Sequence, residues 1–227
     1  MLRRATVMTL GTAVLLLAAP APAEAHGFES TVYAEIIGAG DEVRTTLQLE
    51  YDLFVVSAAD TQRDDPLFRA GTEAFEARDT EGQAAALNAH AATATRYVTE
   101  RFTVAGSGGP CAPARTGGFT MGEQEGVPYA TLQLTWTCKN GAGGHAIRSD
   151  LFPAGEDYVR QSKTSVTYDL DARRGTTMLD AARPEFSTER PWYQKPQIAA
   201  ALMIPAIAAA AVILRRRRSS GRSHPRS

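Results

Sequence analysis

The sequence predicts a mostly β domain, an antiparallel sandwich-like fold with a two-helix insertion, followed by one C-terminal transmembrane helix. Three observations carry this prediction. Apolar and polar residues alternate over residues 43–55 and again over 130–138, helical spacing dominates between residues 65 and 102, and residues 198–214 carry no charge. A more general α+β domain is the alternative architecture.

The first 25 residues have the three parts of a secretory signal peptide. Arg3 and Arg4 supply a positive start, and residues 7–19 supply a hydrophobic run. Ala23 and Ala25 then place small side chains where the signal peptidase requires them. We therefore expect cleavage after residue 25 and a mature chain that begins at His26.

The first predicted strands form a hairpin. Residues 31–37 and 43–55 read as strands, and the segment from Gly38 to Asp41 between them is rich in turn formers. In the longer strand the odd positions are apolar or threonine and the even ones polar up to Asp52, which is the period of a half-buried strand.

Two helices are expected next. Asp65 at the N-cap and Pro66 in the first turn begin one helix. Thr80 followed by Gln83 fits a capping box and begins the second. This second helix carries an apolar stripe that continues to Phe102.

The later strands and the two cysteines complete the predicted domain. Residues 130–138, 146–152, 159–170 and 175–179 read as strands. Cys111 and Cys138 are the only cysteines, and on the oxidising side of a membrane such a pair predicts a disulfide. A two-cysteine metal or redox site is the alternative, although the CxxC spacing is absent.

The C-terminal region predicts a single-pass anchor. The 198–214 run spans about 25 Å as a helix, and four arginines, residues 215–218, follow it. The positive-inside rule places those arginines in the cytoplasm. The predicted order is a signal peptide (1–25), an extracytoplasmic domain (26–190), a linker (191–197), the span (198–214) and a basic tail (215–227). An LPxTG sorting motif is absent upstream, which favours a retained anchor over a processed one.

Charge is distributed unevenly along the chain. Residues 26–195 hold 16 Lys+Arg and 24 Asp+Glu, so 16 − 24 gives −8, while the tail carries six arginines and no acid. An acidic domain outside the membrane repels nucleic acid and favours cations or basic partners.

His26 is the strongest candidate ligand for a metal. Cleavage would free its α-amine beside its imidazole, and the two groups together suit Cu(II) or Ni(II). The candidate second ligands are His90, on the capped helix, and His145, in a glycine-rich turn. The alternative for His90 is a helix-border residue. No HExxH, GxSxG, phosphate-loop or dinucleotide-binding motif is present, so the sequence predicts no enzyme.

The domain resembles the soluble N-terminal region of HupE/UreJ-type membrane proteins, which are associated with nickel handling. The likeness rests on Ala25-His26-Gly27, on the strand of residues 47–53, on the helical insertion, on Cys138 with the segment from Gly144 to Phe152, and on residues 164–171. The multi-span part of that family is absent, and the predicted single span has no ionisable residue with which to form a transport path.

Two functional hypotheses follow. The first is a membrane-tethered accessory module that binds copper or nickel through His26 and assists metal uptake, with a separate permease as a partner. The alternative is a module that binds no metal and interacts with an envelope protein through its acidic surface. An extracytoplasmic hydrolase ranks last, because the carboxylate clusters lie at helix starts and turns.

Overall fold

Two β-sheets and a block of four helices make up the part of the chain that a computed structural model describes, residues 28–154 and 159–189. The helices are α1 (Tyr51–Gln62), α2 (Asp65–Glu76), α3 (Thr80–Ala89) and α4 (Ala91–Arg101). The strands are β1 (Phe28–Ala39), β2 (Glu42–Glu50), β3 (Phe102–Gly106), β4 (Gly109–Pro110), β5 (Ala112–Arg115), β6 (Thr120–Gln124), β7 (Val127–Thr137), β8 (His145–Ser149), β9 (Val159–Leu170), β10 (Arg173–Leu179) and β11 (Glu185–Ser187).

The larger sheet has seven strands in the order β10-β9-β1-β2-β7-β5, with β6 also paired to β7. The smaller sheet is antiparallel, in the order β11-β8-β3-β4. The mostly β class is therefore confirmed. The antiparallel prediction is wrong for one pair, because β1 and β9 run parallel. Strand β9 follows β8 of the smaller sheet and is not joined to β1 by a hairpin. A hairpin would force an antiparallel pair, whereas this longer connection allows β9 to run parallel to β1.

The two sheets face each other across one apolar core. The ring of Phe102 in β3 lies 6.2 Å from that of Trp136 in β7, and Tyr168 in β9 lies 4.7 Å from Phe186 in β11. The indole of Trp136 donates a 3.0 Å hydrogen bond to the hydroxyl of Thr45, so the one polar atom of this buried ring has a partner. These contacts make the two sheets a sandwich-like pair.

The strand predicted over residues 43–55 is shorter than expected. It ends at Glu50, and the chain continues directly as α1. The alternation in the sequence is broken by Phe54, which is apolar at a position that should face solvent. In the helix Tyr51, Phe54 and Ala58 are all buried at spacings of three and four, which is the pattern of a helix face in contact with a core.

The insertion contains four helices, not the two predicted. Besides α1, the helix expected from Thr80 onward is divided at His90 into α3 and α4. Just before the break, the Asn88 side-chain amide donates to the Phe119 carbonyl at 2.9 Å and accepts from the Phe119 N–H at 2.8 Å. These bonds tie the end of α3 to the segment before β6, a contact between distant residues that local spacing does not reveal.

The predicted caps are each shifted by one residue. Asp64, not Asp65, is the N-cap of α2, and its carboxylate accepts from the backbone N–H of Leu67 at 3.0 Å. Asp79, not Thr80, caps α3 and accepts from the N–H of Gly82 at 3.0 Å. Both aspartates satisfy N–H groups that the helix itself leaves unpaired.

The signal peptide, the linker, the 198–214 span and the basic tail lie outside the described residues. Within residues 28–154 and 159–189, no helix is long and apolar enough to cross a bilayer.

Candidate functional site

Those residues singled out by the sequence that the structure describes lie towards two different ends of the larger sheet. One end carries the β1–β2 turn, and Cys138 donates its backbone N–H to the Asp41 carbonyl there at 2.8 Å. The other end carries the helices, which follow β2. Strand β3 connects the two ends: it begins at Phe102, where α4 stops, and finishes at Gly106, opposite His145.

Cys111 and Cys138 form a disulfide, as predicted. The bridge joins the segment between β4 and β5 to the residue that follows β7, across 27 residues of sequence. Both cysteines are almost completely buried. In the chain-entropy view, closing a loop of this length removes unfolded-state freedom equivalent to about 3.5 kcal/mol.

The sequence places His145 in a glycine-rich turn, but it lies in a strand and is buried. It is the first residue of β8 and its side chain is 0% exposed. Its Nδ1 lies 2.9 and 3.0 Å from the two carboxylate oxygens of Asp171, in the turn between β9 and β10. A glycine-rich sequence indicated a flexible loop, but Gly141 to Gly143 form a 3-10 turn that closes against the sheet.

Thr188 completes this arrangement at the C-terminal end of the described chain. The backbone N–H of His145 donates to the Thr188 hydroxyl at 2.8 Å, and the N–H of Thr188 donates to the His145 carbonyl at 2.8 Å. The Thr188 hydroxyl also donates to the Asp171 carboxylate. We refer to His145, Asp171 and Thr188 as the clasp, because they join β8, the β9–β10 turn and the segment after β11.

The clasp has neither the geometry of a catalytic triad nor room for a ligand. The Thr188 hydroxyl bonds to the carboxylate, whereas a nucleophile must bond to the free ring nitrogen. That nitrogen, Nε2, is buried and has no hydrogen-bond partner among the described residues. A methyl group on Gly141 would lie 2.9 Å from it and 1.7 Å from the Gly40 carbonyl oxygen. The Gly141 backbone therefore encloses the ring.

His90 occupies the junction between α3 and α4, as a helix-border residue. Its Nδ1 lies 3.0 Å from the Asp64 carboxylate, which also accepts a 2.6 Å hydrogen bond from the Thr93 hydroxyl. Partial burial by itself raises the pKa of Asp64, but the hydrogen bonds from Thr93, Leu67 and His90 outweigh it and hold this pKa below its ordinary value. The pair links the start of α2 to the start of α4.

The three candidate metal ligands are not seen together. His90 and His145 each contact an aspartate, His90 at the start of α4 and His145 opposite the last residue of β3, and His26 lies outside the described residues. In the part of the chain that is described, no group of three or more His, Cys, Asp or Glu side chains is arranged to hold a metal ion. A metal site centred on His26 stays a prediction.

The helix end of the larger sheet carries a half-buried carboxyl. Burial, and then the nearby Asp52 charge, raise the pKa of Glu50, while the neighbouring Ser30 hydroxyl lowers it; the net direction is upward. Burial and the Glu50 carboxylate together raise the pKa of Tyr129 to about 12. The Tyr129 hydroxyl donates to the carbonyl of Thr31 at 3.1 Å. This phenol is therefore a neutral hydrogen-bond donor.

The larger sheet has one face that no described element covers. We call it the outer face and define it by three rows of five side chains, each row running from β10 through β9, β1 and β2 to β7. The rows are Met178, Ser165, Tyr33, Gln48 and Thr131; Thr176, Thr167, Glu35, Thr46 and Gln133; and Arg174, Asp169, Ile37, Arg44 and Thr135. All of these side chains are exposed or half-buried, whereas the alternate residues of β1, β2 and β7 point into the core.

A depression of about 240 Å³ opens on this face between β1, β2 and β7. Its floor and walls include Glu35, Ile37, Arg44, Gln133 and Thr135. The chain after β5 closes one side: the backbone N–H of Thr116 donates to the Gln133 carbonyl at 2.9 Å, and its hydroxyl lies 3.2 Å from that of Thr135.

Sequence reasoning did not identify the outer face. The signal was present in the even positions of residues 44–48 and the odd positions of residues 131–135, which are all polar. Alternation shows that these side chains share one side of their own strand. It does not show that β1, β2, β7 and β9 are neighbours, and only that order unites them.

No protein-family model matches the chain, and no curated protein matches it either. The resemblance to the HupE/UreJ-type region therefore stays a prediction that rests on its short stretches of sequence.

Proposed function

We propose that this chain is a non-catalytic, membrane-tethered module that binds a component of the cell envelope outside the membrane through the outer face of its larger sheet. The observation that carries the proposal is the exposure of three ordered rows of mostly polar side chains on a sheet whose strands β1, β2 and β7 pack their opposite side into the core. The predicted signal peptide, span and basic tail support the location.

The outer face is held rigid from behind. Val32, Ile36, Val43, Leu47 and Leu132 alternate with its exposed residues and are all 0% exposed. Since packed side chains on the inner side restrict the backbone, the outer rows keep a fixed spacing. A fixed array lowers the entropy lost on binding, which favours recognition of a ligand of matching shape.

Copper or nickel binding has less support than this surface. The Nδ1 atoms of His90 and His145 are both used in contacts with aspartates, and the remaining nitrogen of His145 is enclosed by Gly141. The metal hypothesis therefore depends on His26, with His90, whose side chain is 23% exposed, as the remaining candidate for a second ligand. Titration of Cu(II) and Ni(II) into a chain cut at His26, compared with one that carries an extra alanine before it, tests that hypothesis separately.

The proposal is tested by sedimentation of the full chain, in detergent micelles, with envelope fragments from the cells that produce it. Thr46→Arg places a long charged side chain at the centre of the outer face. Thr103→Arg is the matched control, because Thr103 is a half-buried threonine on a strand of the smaller sheet, outside the core. We expect the unsubstituted chain and Thr103→Arg to sediment with the fragments and Thr46→Arg to remain in solution.

Two results contradict the proposal. In one, the unsubstituted chain does not sediment with the envelope. In the other, both arginine variants lose binding equally while their tryptophan fluorescence shows intact folding. Either result would remove the outer face as the contact surface.

A further inference from the structure

We propose that the ligand of the outer face is an uncharged, polyhydroxylated polymer, that is, a neutral glycan, seated on the depression between β1, β2 and β7. This inference rests on the proposed function, since it names the class of component that the outer face binds.

The charge of the face is the first argument. The domain as a whole carries −8 over residues 26–195, from 16 basic and 24 acidic residues. The fifteen side chains of the outer face include two acids, Glu35 and Asp169, and two bases, Arg44 and Arg174. Their sum is zero. These three rows carry no net charge on an acidic domain, and this part of the face fits an uncharged ligand better than a polycation or a polyanion.

Hydrogen-bonding capacity is the second argument. Six of the fifteen side chains carry an aliphatic hydroxyl and two carry an amide, and both groups donate as well as accept. Sugar hydroxyls have the same double capacity. Glu35 has no hydrogen-bond or ion-pair partner among those found in the described chain, so its carboxylate is open to accept from two hydroxyls. Arg44 is held only at 3.8 Å by Glu42 and is open to donate, and such charge-assisted bonds are the strong ones.

The shape of the depression is the third argument. Glu35, Thr46 and Gln133 are direct neighbours across three strands, and so are Ile37, Arg44 and Thr135. Three strands span about 10 Å, so the two rows form an open strip and not a pocket for a single ion. A strip of this kind, with a wall on one side only, accepts a section of a longer polymer.

Apolar contacts on the strip suit the C–H faces of sugar rings. Ile37 is 37% exposed and lies in the depression, and Tyr33 is 38% exposed in the adjoining row. The Tyr33 ring is steadied by Tyr129, at 5.7 Å between centroids. An aromatic ring with one exposed face and a polar tip offers both stacking and a hydrogen bond.

The same distribution argues against a protein partner. Protein interfaces concentrate their energy in a central cluster of buried aromatic and apolar anchors. On the outer face Glu35 separates Tyr33 from Ile37 along β1, and Ser165 separates Tyr33 from Met178 across the row. No contiguous apolar centre exists among the fifteen side chains.

The test is calorimetric titration of neutral oligosaccharides into the full chain, held in a detergent without a sugar headgroup. The probes are hexamers of β-1,4-linked N-acetylglucosamine and of α-1,4-linked glucose, with oligogalacturonate as an anionic comparison. We expect saturable binding of at least one neutral hexamer. Glu35→Gln and Tyr33→Ala should each weaken it about tenfold, which corresponds to the loss of one strong contact. Thr103→Ala, on the smaller sheet, should leave it unchanged.

The outcomes separate this inference from the proposed function. If no neutral hexamer binds while Thr46→Arg still abolishes sedimentation with the envelope, the glycan inference is wrong and a protein partner takes its place. Tighter binding of the anionic probe, or equal loss in Thr103→Ala, also overturns it. If the unsubstituted chain does not sediment with the envelope fragments, the proposed function itself is wrong. Glu35→Gln keeps the shape of an exposed side chain, so its effect on binding is free of misfolding.

Discussion

Two histidines of this chain make the same contact in two different settings. His90 and His145 each place Nδ1 about 3 Å from an aspartate carboxylate. The His90 side chain is 23% exposed and contacts the start of a neighbouring helix, whereas the His145 side chain is 0% exposed and contacts the turn between β9 and β10. Water can replace a lost partner at the first site but not at the second.

This comparison shows why a histidine–aspartate pair is weak evidence for a function. At the helix junction the pair supplements a cap that Asp64 already provides to α2. At the clasp the pair holds the end of the sheet together, because the Asp171 carboxylate contacts both the His145 ring and the Thr188 hydroxyl. The difference lies in burial and connectivity, and the residue types are the same.

The largest expected effect comes from deleting the two imidazoles in turn. His145→Ala leaves a cavity and a half-buried carboxylate without its ring partner, so we expect a loss of about 3–5 kcal/mol in the free energy of unfolding. His90→Ala should cost about 1 kcal/mol or less, because its pair is partly solvated. Urea denaturation followed by tryptophan fluorescence measures both, and equal losses would show that burial is not what separates the two sites.

A methyl group on Gly141 should disturb the clasp without touching its polar groups. It would meet the Gly40 carbonyl oxygen at 1.7 Å and His145 Nε2 at 2.9 Å, and we expect Gly141→Ala to cost about 3 kcal/mol from this overpacking. Gly122→Ala is the control, because a Cβ there has no neighbour within 4 Å. Thermal unfolding of both variants checks the difference, and a Gly141→Ala protein as stable as Gly122→Ala would contradict the close approach.

The contribution of the helix junction is tested by comparing two N-cap aspartates, Asp64, which contacts His90, and Asp79, which contacts no histidine. Asp64→Ala removes a cap together with the contacts to His90 and Thr93, and should cost about 2 kcal/mol, while Asp79→Ala removes a cap alone and should cost about 1 kcal/mol. The pKa of Asp64 is lowered in the folded protein, so its contribution is present above the unfolded pKa and is lost as pH falls through the folded pKa.

The stability of Asp64→Ala as a function of pH therefore checks the contribution of the Asp64 charge. Urea denaturation at neutral pH should show the full difference between Asp64→Ala and the unsubstituted chain, and denaturation in acid, below the ordinary range of an aspartate, should show it shrinking. A difference that is constant with pH would mean that the charge of Asp64 contributes nothing.

Glu50 gives the smallest expected effect on stability. Its pH dependence has the opposite sign to that of Asp64, because burial raises the pKa of Glu50 whereas hydrogen bonds lower the pKa of Asp64. Its pKa is raised in the folded protein, so its contribution to stability is present below the unfolded pKa and is lost as pH rises through the folded pKa. Glu50→Gln should therefore be more stable than the unsubstituted chain at neutral pH and equal to it in acid. Denaturation midpoints between pH 4 and pH 8 measure this, and a variant that is less stable at every pH would contradict it.

The strands were the most predictable part of the fold. Residues 159–170 form β9 with the predicted bounds, and β1, β7 and β10 lie within a few residues of the predicted strands. Alternation is a property of a strand's own residues, so it survives whatever the strand packs against. The error at residues 51–55 has the same origin: Tyr51, Asp52 and Leu53 continue the alternation of the strand, and the sequence does not show where the partner strand stops.

Local chemistry predicted two other features and misplaced a third. Two cysteines in an oxidising compartment have one pairing, so the Cys111–Cys138 disulfide followed from composition alone. Helix starts rich in aspartate were found to within one residue. His145 was misplaced because a run of glycines indicates freedom of the backbone, whereas here the glycines permit a close approach to Gly40.

By itself the sequence determined the mostly β class, the disulfide and most strand positions, because each depends on residues that are neighbours in the chain or on composition. Only the tertiary structure decided which strands lie side by side, and hence the parallel entry of β9, the burial of His145 against Asp171 and Thr188, and the three rows of the outer face. The physical reason is that such contacts join residues tens of positions apart, whose pairing follows from packing the whole core at once.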